Sequence, residues 1–500
     1  MICKHFVKVL FPFQYTKEAD CHLENITITN AKGKEKPLFE RFGFDGVELR
    51  KGVQELFSEK DNTARIVDCY SLAYDARTFM NLPRRKEEPL QFFTRDHKGE
   101  DPYAVSIREV RLYLFESEVG FFELECGFES SEIADYIQCN YFLSEIKSKN
   151  NIFRSVNKVW NGTENQEEVK EFTVKVFLQS LLDKIPGLSA KDFYTGDEWS
   201  ETHEKGIVYS YLYLEEKPNN FETLVYNIRN NYKESYKVPQ QSQSIKSDPG
   251  VRQQFENSYW VTSYNGTINI SHKTEDEITN QFFENDFYGK MHHVYYVLFL
   301  SVIHQRFLLL KAMTEMVEIS NLNLDCEETK KQLIRINNYR LKISKLKCRA
   351  FYEKPSYVQH VNNYYELMTS AYSIKDLHSG LMSRMGDIEQ VCKVYVAKIK
   401  THDDQVSKIR SNRIEAFVSV FGTLVGLVTV TNEAWGLIEK ISKSMEKTFS
   451  IPLLIAMIAV WLPSSILVYN NASKKLKEAK ELKDDMEREE AVSGKIEDTN

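Results

Sequence analysis

The sequence predicts an α+β protein: an α/β domain, a helical bundle, one long stalk helix and two C-terminal transmembrane helices. Three observations predict it. The first 272 residues carry short alternating apolar runs broken by turn signals. From Glu275 onward the apolar spacing changes to three and four residues. Two segments near the C-terminus carry no charge: AFVSVFGTLVGLVTVTN, the 17 residues from Ala416 to Asn432, and the 26 residues from Thr448 to Ser473.

Within 1–272, His5–Phe13 reads as a strand, and Ser106–Gly127 reads as a hairpin turning near Ser117–Gly120. Ser130–Lys147 and Glu167–Asp183 have helical spacing, and Gly206–Leu214 reads as another strand. Tyr259–Ile270 is a hairpin with an Asn265-Gly266 turn. Pro83–Pro102 and Ser235–Gly250 are polar, Pro-containing loops. Residues 273–354 form the bundle. Its Met291–Met313 stretch is apolar enough for a span, but Arg306 at its centre is costly in lipid, so it reads as a buried helix. The basic stretch Glu327–Ala350 reads as a solvated helix face.

Residues 355–432 form the stalk running into the first span, about 414–432. Pro355-Ser356 is a helix start, and no proline recurs before Pro452. Ile374, Leu377, Leu381, Met385, Ile388, Cys392, Tyr395, Ile399, His402, Val406 and Ile409 keep a spacing of three or four, as in a coiled coil. A helix from Tyr357 to Asn432 would be about 114 Å long at ~1.5 Å per residue. No domain of its own covers such a helix, which implies a homo-oligomer around the membrane axis.

A bilayer core needs roughly 20 apolar helical residues. Segment 416–432 is short but feasible; 448–473 suffices. Lys398, Lys400, Lys408, Arg410 and Arg413 precede the first, and Lys474, Lys475, Lys477, Lys480 and Lys483 follow the second. Cationic flanks stay cytoplasmic, so both termini are expected inside, with 433–447 an external loop and 474–500 a cytosolic tail. The expected place is a cell inner membrane. Glu415, Ser419, Gly422, Gly426, Thr429 and Glu433 recur at steps of four and three on one helix face, with Asn412 just below. A small, polar stripe with carboxylates at both ends is what a cation pore wall needs. The same glycines also suit close packing of spans.

Composition narrows the function class. Hydrophobic residues make up 42% of the 500, so the membrane part is a minority. A net charge of −7 argues against direct nucleic-acid binding. The eight cysteines are scattered without a CxxC pair, which implies free thiols and no zinc site. Lys4 and Lys8 interrupt the first apolar stretch, so no signal peptide is read there. P-loop, GxSxG, HExxH and Rossmann patterns are absent, so no catalytic residue is nominated and the chain is read as a non-enzyme. Asp403-Asp404 beside His402 reads as a solvated acidic pair, and no metal site is assigned.

The layout resembles the CorA-like divalent-cation channel family, best over 355–480: SNRIEAFVSVFGTLVGLVTV, then SIPLLIAMIAVWLPSSILVY, then KKLK, with Asn412-Arg413 at the entry to the span. The resemblance implies a homopentamer with the first spans around the pore. Transporters of this family end the first span with Gly-Met-Asn; here Thr431-Asn432-Glu433-Ala434-Trp435-Gly436 stands in that place. With the large N-terminal domain, this is similar to the CRISPR-associated CorA branch, the membrane effectors of type III antiviral defence. That resemblance implies opening by a nucleotide second messenger, an S-adenosylmethionine–AMP conjugate or a cyclic oligoadenylate. Basic side chains of 327–349 or of the Arg84-Arg85-Lys86 loop would meet its phosphates, and no individual binding residue is singled out. Two alternatives stay open: a constitutive Mg²⁺ transporter, and a membrane-anchored binding module without a pore.

Overall fold

The structure is a computed structural model describing residues 1–18, 22–29, 33–60, 64–94, 102–145, 151–160, 165–193, 205–232, 248–320, 334–341, 343–344, 351–442 and isolated positions between 463 and 480. The long apolar alternation at the N-terminus forms β1 (Ile2–Lys17). The small strands β2 (Thr27–Thr29) and β3 (Glu35–Pro37) pair with each other. There follow β4 (Phe39–Phe42), α1 (Lys51–Leu56), β5 (Val67–Leu72), β6 (Leu90–Phe93), β7 (Tyr103–Phe115), β8 (Val119–Phe128) and α2 (Ile133–Ser144). Next come β9 (Ile152–Trp160), β10 (Asn165–Thr173), α3 (Val174–Leu182), β11 (Leu188–Asp192), β12 (Ile207–Leu214) and α4 (Phe221–Arg229). The strands end with β13 (Val251–Phe255), β14 (Ser258–Ser263) and β15 (Gly266–His272).

Among the described residues these strands make one 13-stranded sheet in the order β10-β9-β6-β7-β8-β1-β12-β15-β14-β13, with β11 also on β1 and β5 joining β7 to β4. The β12–β15 pair is parallel; the other described pairs are antiparallel. The side-chain period of two gives each central strand two different faces. Val7, Val9, Phe11 and Phe13 of β1 join Phe142 of α2, Leu181 of α3 and Ile228 of α4 in one core.

The opposite face is covered by helices: α5 (Glu277–Gln281), a π-helical turn (Phe282–Phe287), α6 (Tyr288–His292), α7 (Val294–Ser320) and α8 (Gln359–Ala371). Phe6 packs on His292 with ring centroids 4.0 Å apart, Phe121 on Phe307 at 5.7 Å and Trp260 on Tyr364 at 4.0 Å. The Tyr209 hydroxyl donates to the Met291 carbonyl at 2.7 Å. Helix α9 (Ile374–Ser442) is 69 residues long. The chain divides into two compact units, Met1–Asn321 with Asn337–Met385, and Leu322–Ile336 with Gly386–Asn500. Helices α5 to α8 therefore share a unit with the sheet, whereas α9 passes into the second unit after Met385.

The described strands include His5–Phe13, the Ser106–Gly127 hairpin, Gly206–Leu214 and the hairpin at Asn265-Gly266, each where the sequence places it. Helix α2 lies within Ser130–Lys147. Three readings change. Residues 167–173, assigned to a helix, belong to β10, because each pairs with β9 and Thr173 then caps α3 by accepting from the Val176 amide at 3.2 Å. The loop Pro83–Pro102 contains β6, which sits between β7 and β9. The stalk does not run unbroken from Tyr357: α8 stops at Ala371 and Ser373 turns left-handed, with φ 52°. That break is held on both sides. Tyr264 and Ser373 share a hydroxyl hydrogen bond at 3.0 Å, and Arg306 donates to the Tyr372 carbonyl at 3.3 Å with its guanidinium over the Tyr264 ring. Loop 235–250 falls mostly outside the described residues.

The helical run Glu277–Val317 is long and apolar enough to cross a membrane by length and composition, and 78% of its apolar window is buried inside the protein. Its polar residues are used within that packing. His304 meets the Ser117 hydroxyl at 2.8 Å and stacks on Phe115, and Lys311 donates to the Ser117 carbonyl at 3.1 Å. Burial pushes the His304 imidazole down to about 3, and burial with Arg108 nearby pushes His5 down to about 4. An unfolded chain protonates these histidines below about pH 6.5, whereas the folded chain keeps them neutral. Stability should be level above pH 7 and fall as pH drops from ~6.5 toward 4, by up to about 1.4 kcal/mol per unit for each histidine. Thermal melting of the full chain in detergent at pH 7.5 and pH 5.5 checks this; equal midpoints would contradict it.

Candidate functional site

All seven residues of the expected pore face, Asn412, Glu415, Ser419, Gly422, Gly426, Thr429 and Glu433, lie on α9. Steps of four and three along one helix keep them on one side. Glu415, Gly422 and Glu433 are exposed and Asn412 is half-buried. Among the described residues, a Cβ added at Gly422 would meet nothing within 4 Å. Beside them Ile414, Phe417 and Val418 are 58, 69 and 61% exposed. Apolar exposure of that size on successive turns calls for a covering surface. Earlier along α9 the stripe residues Leu381, Met385, Cys392 and Ile409 are buried.

One boundary differs from expectation. Helix α9 continues through 433–442, the first ten residues of the expected external loop. Ala434, Leu437, Ile438 and Ile441 keep helical spacing there, and scattered charges do not end a helix. The second expected span, 448–473, and the basic stretch 327–349 lie largely outside the described residues. Among the described residues no three-ligand metal cluster occurs, and Asp404 is exposed.

A second arrangement emerges on the helix-covered face of the sheet. Glu123 and Glu125 of β8 point toward that face and are buried. Lys8 of β1 reaches Glu123 at 2.8 Å and Glu125 at 2.9 Å; Arg111 of β7 reaches them at 2.9 and 3.4 Å. Tyr113 donates to Glu123 at 2.5 Å, and Tyr296 of α7 donates to the same oxygen. Burial alone would raise the carboxylates; Lys8 and Arg111 overcome it, lowering Glu123 and bringing Glu125 down to about 2. Burial pushes the His292 imidazole down to about 3, so it stands neutral 3.8 Å from Glu125.

Of this cluster Glu125, Arg111 and His292 line a cleft of about 440 Å³, together with Phe42, Lys86, Glu87, Arg108, Glu109, Tyr288 and His293 among others. Three local irregularities shape it. In β7 the core face reads Val105, Ile107, then Val110, Leu112, Leu114, so one extra residue is needed to keep both halves inward. The ladder to β8 shifts register between Ile107 and Glu109, and this bulge puts Arg108 and Glu109 side by side off the core. The buried Arg77 guanidinium holds the bulge: it donates to the Ile107 carbonyl at 2.6 Å, the Arg108 carbonyl at 3.1 Å and the Pro83 carbonyl at 2.9 Å. Pro83 opens the Arg84-Arg85-Lys86 loop, and of those three residues Lys86 lines the cleft, paired with Glu109. On the opposite wall the π-helical turn sets the register of Tyr288 and His292, and α6 ends at His293.

Neither Arg108 nor the histidines were singled out by sequence reading. The broken alternation Val105-x-Ile107-Arg108-Glu109-Val110 was the available signal for Arg108. Nothing local marks His292, because the neighbours that define its surroundings come from β1 and β8.

No protein-family model matches the chain, and no curated protein matches it. Among solved structures it is similar to the CorA magnesium transporter from Methanocaldococcus jannaschii, with 12% identity and a TM-score of 0.15, over 56% of this chain and 91% of that one. A likeness at that score carries no conclusion about this chain.

The charge cluster can be tested directly. Lys8→Met leaves two buried carboxylates with Arg111 alone and should cost about 3–5 kcal/mol. Denaturant melting reads this; a loss under ~1 kcal/mol would contradict the described network.

Proposed function

We propose that this chain is the subunit of a homo-oligomeric, ligand-gated membrane channel, CorA-like in layout. We further propose that it acts as a membrane effector of type III CRISPR antiviral defence. The observation that carries the channel reading is the continuous helix through 412–433. Along it Ser419, Gly422, Gly426 and Thr429 recur in sequence at steps of three and four between Glu415 and Glu433, and Ile414, Phe417 and Val418 are exposed. In a single copy those side chains face water at a cost. Copies of the helix around an axis, with lipid outside, would cover the apolar faces and turn the polar faces toward a shared lumen. The charge-free segment 448–473 then supplies the second span, with both termini on the cytoplasmic side. No residue here takes a catalytic role in this reading.

The messenger is proposed from the sequence resemblance to the CRISPR-associated branch: a nucleotide of the S-adenosylmethionine–AMP type, with cyclic oligoadenylate as the related chemistry. Such a ligand opens a channel only if it binds the open assembly better than the closed one. Its effect would be loss of ion balance across the host membrane. The missing Gly-Met-Asn favours this over constitutive Mg²⁺ uptake, which needs a hydrated-ion site at the mouth of the pore.

Reconstitution into liposomes tests the proposal. Ion flux should be low alone and rise on adding the S-adenosylmethionine–AMP conjugate. Glu433→Gln should lower the open-state cation flux by at least about twofold. Messenger-independent flux controlled by Mg²⁺ would favour a constitutive transporter, and no flux under any condition would favour an anchored binding module.

A further inference from the structure

We propose that the cleft over the Lys8–Glu123–Glu125–Arg111 cluster is a binding site for a small molecule carrying an anionic group, phosphate or carboxylate, and that Arg108 reads that group with help from Lys86. The assignment concerns the sheet unit alone. It rests on the gated-channel reading only for its link to opening.

The cations of the cleft are not equivalent. Arg111 is committed to Glu123 and Glu125, and Lys86 is paired with Glu109. Arg108 has no ion-pair partner among the described residues and lines the cleft beside Tyr288, and its guanidinium carries five N–H donors. The guanidinium therefore keeps a planar donor edge for a carboxylate or phosphate.

The position of Arg108 is built by the fold. The bulge supplies the extra residue, and Arg77 fixes the carbonyls on both sides of the Ile107–Arg108 step. Gly127 on β8 leaves the space: a Cβ there would fall on the Arg108 guanidinium. Arg77 also ties down Pro83, so a single buried side chain sets both the bulge and the start of the Lys86 loop. Burying a guanidinium to anchor two surface cations side by side makes little sense for stability alone, since replacing a buried charge by apolar residues is often neutral or stabilising.

Size and chemistry agree. A cavity of about 440 Å³ falls within the range of small-molecule sites. The neutral imidazoles of His292 and His293 offer hydrogen-bonding groups, and Phe42 and Tyr288 offer apolar surface for the body of the ligand. The carboxylates oppose an incoming anion only in part: Glu123 and Glu125 are neutralised by Lys8 and Arg111, Glu109 is paired with Lys86, and Glu87, which also lines the cleft, is exposed to solvent that screens it.

The test uses the full chain in nanodiscs and calorimetry with three probes: AMP for phosphate, citrate for carboxylate, and adenosine as the uncharged control. At least one anionic probe should bind, with adenosine at least about tenfold weaker, and which anion binds identifies the group. Arg108→Gln should weaken that binding at least about tenfold, Arg108→Lys should keep part of it, and Gly127→Ala should weaken it by displacing the guanidinium. Melting midpoints of the variants near wild type show that they fold. Absence of binding by both anions, equal binding of adenosine, or unchanged affinity in Arg108→Gln would overturn the assignment. Binding lost in Arg108→Gln without any flux in liposomes would keep this site and remove the channel. Messenger-driven flux with unchanged binding in Arg108→Gln would do the reverse.

Discussion

Two buried carboxylates on one strand govern how this protein is built. Glu123 and Glu125 face away from the apolar core and sit under α6 and α7, where an isolated charge would cost several kcal/mol. Their neutralisation takes a cation from each neighbouring strand, Lys8 on β1 and Arg111 on β7, and two tyrosine hydroxyls, one of them from α7. The three central strands and the covering helix are thereby fixed in one register. A one-residue slip of β1 against β8 would turn Lys8 into the aliphatic core and strand both acids.

The same parity rule creates the cleft. A strand that must bury Val105 and Ile107 and also Val110, Leu112 and Leu114 cannot alternate without a spare residue. The spare position carries Arg108, and a buried arginine steadies it. Opposite, a π-helical turn shifts the helix so that His292 rests on Phe6 and against Glu125. Irregularities on two elements thus converge on one concavity, and the sheet unit gains a charged, partly apolar recess beside the buried acids.

Much of this was legible in the sequence where local pattern and tertiary need agree. The β1 run, the hairpin to β8, the Asn265-Gly266 turn and the buried helix around His304 follow from period and turn chemistry. Residues 167–173 misled because EEVKEFT is rich in helix formers, and only its partner β9 makes it a strand. The break at Ser373 was hidden for a similar reason: its left-handed turn is held by Tyr264 and Arg306, more than 60 residues away. The spacing of the proposed pore face was readable on one helix. The cleft was not, since Lys8, Lys86, Arg108, Glu125 and His292 meet only through sheet order.

The central claim is that α9 works as one of several copies around a shared axis. The mass of the detergent-solubilised full chain tests it most directly. A homo-oligomer, five copies of the 58.5 kDa subunit in the CorA-like arrangement, is the predicted result. A monomer or dimer would contradict the account, leaving the face from Glu415 to Glu433 as ordinary helix packing.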